Sequence, residues 1–328
     1  MTEQNSKKPR TALTIGTHNG TFHADEALAV YMLKMLPRFK DATVVRSRTP
    51  DVLEACDIIV DVSGVYDGTK HFDHHQRGFA ETFAPEYATK LSSAGLVYKH
   101  FGREIIATAL DVDAADAAVE TVYGHLYRQF VEAIDANDNG QSAYPEDVKP
   151  AFATGGITLP SMVADLNPAW NADSSDEALF AGFERASALI GGVFAGKLQY
   201  YGRAWLPARA VVQAALAAAA DPRVLVLEQF VPWKDHLYAL EAELGAEGRT
   251  QYVLYPDKTS WRIQAVAVSP ASFVSRRALP EPWRGLRDDA LSAVVGAGAV
   301  FVHASGFIGG HSTRDGALHM ANMALSDS

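Results

Sequence analysis

The sequence predicts an α/β protein, with an N-terminal domain on a parallel sheet and a smaller C-terminal α+β domain. Three observations carry this. Short apolar segments at 11–16, 42–46 and 57–62 alternate with stretches of helical periodicity, and that alternation implies parallel strands joined by right-handed crossovers. Beyond Asp221-Pro222 the pattern changes to closely spaced strand candidates with a hairpin connection. The chain has 328 residues, 48% of them hydrophobic, which suffices for two cores.

The elements follow in order. Residues 11–16 form the first strand. Leu28, Tyr31, Met32 and Met35 then recur at helical spacing, predicting a helix over 25–36 that Pro37 ends. Residues 42–46 are the second strand. The third, 57–62, is a short apolar run of the kind buried on both faces. Val112, Ala115, Val119, Val122, Leu126, Phe130 and Ile134 keep spacings of three or four, predicting one long helix over 112–134. Residues 135–140 end it on Gly140. Segment 141–173, rich in Pro, Gly and polar residues, reads as a long loop able to cover a site. Helix resumes from 176 to 220. Strands are expected at 224–227, 252–255, 261–268 and 299–303, and a helix at the C-terminus. The expected domains are 11–200 and 222–328, with a helical linker over 201–221.

Composition limits the function. Lys and Arg number 29 against 39 Asp and Glu, a formal charge of −10. Bulk charge therefore does not hold the protein to nucleic acid or to acidic membranes, although a local basic groove stays open to it. The single cysteine, Cys56, rules out an internal disulfide and a cysteine-based zinc cluster. Residues 1–10 lack the apolar core of a secretory signal and read as a frayed cytoplasmic tail. The longest apolar tract, 208–220, is interrupted by Arg209 and Gln213 and reads as a helix of the fold, not a membrane span.

The histidines are unevenly spread. Five of the 11, His18, His23, His71, His74 and His75, lie among Asp25, Asp61 and Asp73. His18, His23 and Asp25 follow the first strand. Asp61 ends the third, and Asp73-His74-His75 lies in the loop after it. In an open parallel sheet, ligands bind beyond the carboxyl ends of the strands, so all three groups are expected at one edge. Imidazole and carboxylate without thiolate suit Mn²⁺, Fe²⁺, Zn²⁺ or Mg²⁺. Two carboxylates ~5 Å apart repel by about 3 kcal/mol at an effective dielectric of ~20, so several in one pocket need cations. Two divalent ions a few ångström apart suit phosphoryl transfer with an activated water.

Asp73-His74-His75, Asp61 at a strand end and the His/Asp-rich first loop together resemble the DHH phosphoesterase superfamily. More closely, residues 18–26 (HNGTFHADE), 73–78 (DHHQRG), 283–288 (WRGLRD) and 306–310 (GFIGG) resemble its melanocyte proliferating gene family. The resemblance spans about residues 11–325. It implies a DHH-type metal-binding catalytic domain, a substrate-binding C-terminal domain and metal-dependent phosphodiester hydrolysis, with 3′-to-5′ RNA exonuclease activity. Carried over by position, it implies that His18, Asp25, Asp61, His74 and Asp135 are metal ligands. Asp138 competes with Asp135 for the last of these roles. His75 is implied to contact phosphate or support the site, beside Asp73. Superfamily members commonly space His, three residues, Asp, one residue, Asp. Here four residues separate His18 from His23, and His23 stands where the first Asp would be, which leaves the roles of His18 and His23 open. Glu26 reads as a helix N-terminal charge.

Ser305 to His311 follows a strand candidate and precedes a helix. As a glycine-rich loop it would let backbone N–H groups approach an anion. The superfamily resemblance implies that Gly309, Gly310 and His311 contact substrate phosphate, with Arg277 and Arg284 adding charge. The expected cofactors are two divalent ions, Mn²⁺ first and Mg²⁺ second. The expected substrate is RNA or a short oligonucleotide. The rivals are a hydrolase of pyrophosphate or a dinucleotide, and a metal- or RNA-binding protein without turnover.

Overall fold

A computed structural model describes residues 12–145, 147–148, 151–153 and 155–326. The tail 1–10, read above as frayed, lies outside the described residues. Tertiary contacts divide the chain into two units, the first ending at Gly202 and the second starting at Arg203.

The first unit opens with β1 (Thr14–Thr17), α1 (Ala24–Lys34), β2 (Thr43–Arg46), α2 (Pro50–Glu54), β3 (Ile58–Val60) and β4 (His71–Phe72). These strands form one wholly parallel sheet in the order β2-β1-β3-β4. The α/β class is therefore the one the alternation predicts. Helices follow: α3 (Ser93–Leu110), α4 (Ala117–Leu126), α5 (Glu132–Asp138), α6 (Leu159–Ala164) and α7 (Asp176–Tyr200). Helix α1 is buried on nearly every side, including Leu28, Met32 and Leu33, because α3 and α7 both pack on it.

Three sequence expectations need correction here. Helix α3 is absent from the pattern read above. The long helix expected over 112–134 starts only at Ala117, because Asp113 bonds the Ala115 N–H at 2.8 Å and Asp116 caps α4 through the Ala118 N–H at 2.8 Å. Short Asp side chains compete in this way with helical hydrogen bonding. That helix then widens into a π turn at Tyr127–Val131 and runs on to Asp138. The loop expected over 141–173 contains a 3₁₀ turn at Gly155–Ile157 as well as α6.

In the second unit, α8 (Leu206–Ala218) continues α7 through a π turn, and β5 (Val224–Val226), α9 (Lys234–Glu243), β6 (Tyr252–Asp257), β7 (Ser260–Ala265), α10 (Asp288–Val295), β8 (Ala299–Val302), β9 (Ile308–His311) and α11 (Arg314–Ser326) follow. The sheet order is β5-β6-β7-β9-β8, with only β5–β6 parallel. Segment 201–221, expected as a linker, carries α8, whose Ala208 and Val212 are buried with Leu225, Leu237 and Val253. The combined stretch Asp176–Ala218 is long and apolar enough to cross a membrane by length and composition. Its α7 part turns Phe183, Ile190 and Phe194 into the core.

The second half of the expected glycine loop, Ile308–His311, is a strand. Gly309 pairs with Ile263 and Val302, and Gly310 with Arg262 and Phe301. The backbone N–H groups expected to face an anion belong to sheet ladders on both sides. The glycines are there for space. A Cβ on Gly309 would meet the Phe301 carbonyl at 3.0 Å, and one on Gly310 the Arg262 guanidinium at 2.8 Å.

Candidate metal centre

The carboxyl edge of the parallel sheet carries the histidines and aspartates. His18 follows β1, His23 and Asp25 open α1, Asp61 follows β3, and Asp73, His74 and His75 follow β4. His18, His23, Asp25, Asp61, Asp73 and His75 line a cavity of about 860 Å³ with Arg48, Asn137 and Asp138, and with Gly155, Thr158, Pro160, Ser161 and Ala164. That size suits a small-molecule or oligonucleotide-end ligand.

Asp61 is the hub. Its Oδ2 lies 3.6 Å from His18 Nε2, and its Oδ1 lies 3.7 Å from His74 Nε2 and 3.4 Å from His75 Nδ1. Its backbone takes the left-handed conformation, φ +57°, which Asp tolerates better than most residues. Strain of this kind collects at functional sites.

Asp25 is fully buried beneath this edge. It accepts Ser92 Oγ–H at 2.5 Å, Ala94 N–H at 2.6 Å and Ser93 N–H at 3.0 Å. The first turn of α3 thus supplies the donors, and its dipole favours the negative charge. Even so, burial first, and then the neighbouring Asp138 and Asp61 carboxylates, hold the Asp25 pKa well above the ordinary range. For His18, burial alone lowers the pKa, but Asp61 and Glu26 outweigh it and push it up to about 10. His74 is raised likewise, its burial outweighed by Asp138, Asp61 and Asp73.

Two neighbouring donor sets result, in each of which the ligand atoms lie within 4.8 Å of one another: His18, His23, Glu26 and Asp61, and Asp25, His74 and Asp138. A third set joins Asp61 to Asp73, His74 and His75. His74 Nε2 is buried and makes no hydrogen bond among the described residues, although Asp138 Oδ2 is 2.9 Å away. An imidazole nitrogen without a hydrogen bond, facing several carboxylate oxygens across a common space, fits a divalent cation. Hard oxygen and imidazole donors without thiolate admit Mn²⁺ or Mg²⁺.

Asp138, not Asp135, lines the cavity. Asp135 is fully buried one turn earlier, where its Oδ1 lies 2.7 Å from the same Ser92 Oγ whose one proton Asp25 accepts, and it accepts Ser92 N–H at 3.0 Å and Tyr127 O–H at 2.9 Å. Burial pushes its pKa up to about 7. The continuation of the helix to Asp138 places the two carboxylates nearly one turn apart.

Asp73 props up its neighbours. Its Oδ2 accepts Gly64 N–H at 2.6 Å, and its Oδ1 receives His75 Nδ1 at 2.8 Å. Burial alone would raise its pKa, but the Gly64 and His75 bonds lower it. His75 itself is 63% exposed at the cavity.

Sequence reasoning missed the parts that Glu26, Ser92, Ser93 and Arg46 play. Glu26 is fully buried, and its Oε1 lies 3.1 Å from His18 Nε2. Arg46 clamps the first loop, donating to the carbonyls of His18 at 3.1 Å and Gly20 at 2.7 Å, with the Phe22 and Phe183 rings beside its guanidinium. The paired serines ahead of Leu96 and Val97 were the available sign of a helix start. The C-terminal candidates lie in the other unit. His311 is buried, its Nδ1 accepting Thr313 N–H at 3.0 Å. Arg277 Nε donates to Ala324 O at 3.0 Å, and Arg284 Nε to Leu279 O at 2.9 Å.

Among solved structures, the chain is similar to RecJ from Thermus thermophilus in complex with Mn²⁺, at 13% identity and a TM-score of 0.26, over 97% of this chain and 53% of that one. It is also similar to exonuclease RecJ bound to manganese, at 13% identity and a TM-score of 0.26, over 97% and 92%. Sequence relatives are far nearer. The Schizosaccharomyces pombe MYG1 protein C694.04c is 53% identical over 95% of this chain and 97% of its own length. The human MYG1 exonuclease is 50% identical over 95% and 85%, and the mouse MYG1 exonuclease 48% over 98% and 88%. The family model MYG1_exonuc, described as Uncharacterised protein family (UPF0160), matches residues 14–325. Since that match takes in both sheets and every residue of the metal centre, the chain belongs to the MYG1 family.

Proposed function

We propose that this protein is a divalent-metal-dependent phosphodiesterase that releases nucleotides from the 3′ end of RNA or short oligoribonucleotides. The observation that carries this is the convergence of His18, Asp25, Asp61 and Asp138 at one cavity, with His74 against Asp61 and Asp138. Relatives at about half identity carry the name exonuclease, which supports a nucleic acid substrate. Two divalent ions bound there, Mn²⁺ by preference, supply charge neutralisation for the phosphate and acidify an attacking water. Asp25 and Asp138 with His74 would hold one ion and His18 the other, with Asp61 close enough to either set to contribute to both. Asp73 fixes the His75 ring through Nδ1, so that in the imidazolium form Nε2–H can give its proton to the leaving oxygen. Arg48, the only Lys or Arg lining the cavity among the described residues, meets a phosphate.

That single arginine favours a phosphodiester over pyrophosphate, because a compact, multiply charged anion needs a denser cationic set. The test incubates purified protein and Mn²⁺ with 5′-labelled RNA bearing a 3′-hydroxyl, and in parallel with pyrophosphate and a dinucleotide. Stepwise shortening of the RNA is expected, and Asp61→Asn should lose at least about a thousandfold in rate. RNA left intact, or cut equally fast by the variant, defeats the reading. Pyrophosphate hydrolysed in preference to RNA defeats the substrate assignment.

A further inference from the structure

The first donor set poses a question of charge. It contains two histidines, His18 and His23, and Asp61 also belongs to the set with Asp73, His74 and His75, so it lacks an acidic ligand of its own unless Glu26 supplies one. Glu26 is 0% exposed. No Lys or Arg forms an ion pair with it among the described residues. Its neighbours are His18 Nε2 at 3.1 Å, His23 Nδ1 at 4.0 Å and the His23 backbone N–H at 2.9 Å. A buried carboxylate whose ion-pair partners are only His18, shared with Asp61, and the more distant His23 is costly. One N–H bond at the start of α1 leaves most of its lone pairs unused.

We infer that Glu26 is a metal ligand, providing with His18 and Asp61 the anionic donor of the first ion. Three features carry this. The residue lies at the third position of α1, one turn from the helix start, so its side chain reaches back toward the first loop. Its Oε1 faces the same His18 nitrogen that Asp61 Oδ2 faces at 3.6 Å, so three donors from three separate elements converge. His23 is the more exposed member, its side chain 59% accessible, and is the weaker candidate for a sole fourth ligand. The spacing of the first motif, with a histidine where a carboxylate is expected, is thereby compensated three residues later in the sequence. The rival role is structural: Glu26 as a capping acceptor for the His23 N–H and as an ion-pair partner for His18.

The inference rests on the two-metal reading above, and the test separates the two. Metal-stripped protein is titrated with Mn²⁺ alone by calorimetry, and bound Mn²⁺ is followed by electron paramagnetic resonance. Glu26→Gln keeps an oxygen acceptor for the His23 N–H and removes the charge. The wild type is expected to bind two ions and give an exchange-coupled signal. Glu26→Gln is expected to bind one ion at wild-type affinity and the other more than about 100-fold more weakly, with an uncoupled signal. Two ions bound by Glu26→Gln within about threefold of the wild-type affinities overturn the assignment of Glu26 alone. A wild type that binds no Mn²⁺ overturns the metal centre itself. Should Glu26→Gln fail to fold, anomalous scattering at the manganese edge from wild-type crystals decides the matter. A Glu26 oxygen in the coordination shell of an ion supports the inference, and a shell without one overturns it.

Discussion

At the scale of single residues, Asp135 and Asp138 show how little separates a structural carboxylate from one that faces a cavity. Both sit on α5, both are acidic, and sequence position alone favoured Asp135. Asp135 spends its lone pairs on Ser92 and Tyr127, whereas Asp138 opens on the cavity beside His74. Substitution should separate their roles. Asp138→Asn should lower kcat at least about 100-fold with little change in unfolding midpoint. Asp135→Ala should cost about 2–4 kcal/mol of stability, because it strands buried donors from Ser92 and Tyr127. Denaturant unfolding beside Mn²⁺-dependent rate measurements checks both. The opposite pattern would return Asp135 to the metal.

Elements hold the site because helices press together closely. Helix α1 carries Asp25 and Glu26, and it lies against α7 where Gly191 faces Tyr31. A Cβ on Gly191 would fall 2.0 Å from the Tyr31 ring, so no side chain fits unless the ring or a helix moves. Gly191→Ala is therefore expected to destabilise the protein by about 1–3 kcal/mol, although alanine is the better helix former. Equilibrium unfolding in urea reads this, and an unchanged or raised midpoint would show that the contact is not tight. The same scale explains which elements were legible in the sequence. Strands β1 to β3 announce themselves as short apolar runs between punctuated helices. Helix α3 is less distinct, because its buried face interleaves Leu96, Val97, Ile105 and Ile106 with Ser93, Gly95 and Gly102, small residues that dilute the periodic signal. Helix α9 is too charged to show a periodicity. Strand β9 hides behind glycines that elsewhere mark a loop.

For the whole molecule, charge and pH link composition to stability. The −10 total counts Asp25, Asp61 and Asp138, whose charge two divalent ions would more than offset. A negative total is thus compatible with a polyanionic substrate when the ions and Arg48 provide the local attraction. In the second unit a different carboxylate matters. Glu241 is buried against Arg276, with Nη2 to Oε2 at 2.8 Å, and its Oε1 also accepts the Thr250 N–H at 2.8 Å. Burial alone would raise its pKa, but Arg276 and Thr250 outweigh it, so the folded value lies below the ordinary 4.5. A lowered folded value means that the pair stabilises fully above about 4.5 and that the contribution is lost as pH falls through the folded value. Unfolding midpoints measured between pH 7 and pH 3, with chelator present, should fall less steeply for Glu241→Gln than for the wild type. Parallel curves for the two would sink this assignment.

The sequence alone determined the α/β class, the cluster of His18, His23, Asp25, Asp61, His74 and His75, and the family, because strand–helix alternation and motif spacing are local properties of the chain. Only the tertiary structure decided which carboxylates face one another. Asp138 took the place at the cavity expected for Asp135, and Glu26 came to lie against His18. Gly309 and Gly310 passed from a phosphate loop into the middle of a sheet. Each of these depends on distances between separate elements, and on which lone pairs and N–H groups the packing leaves unused, and no local pattern of residues records either.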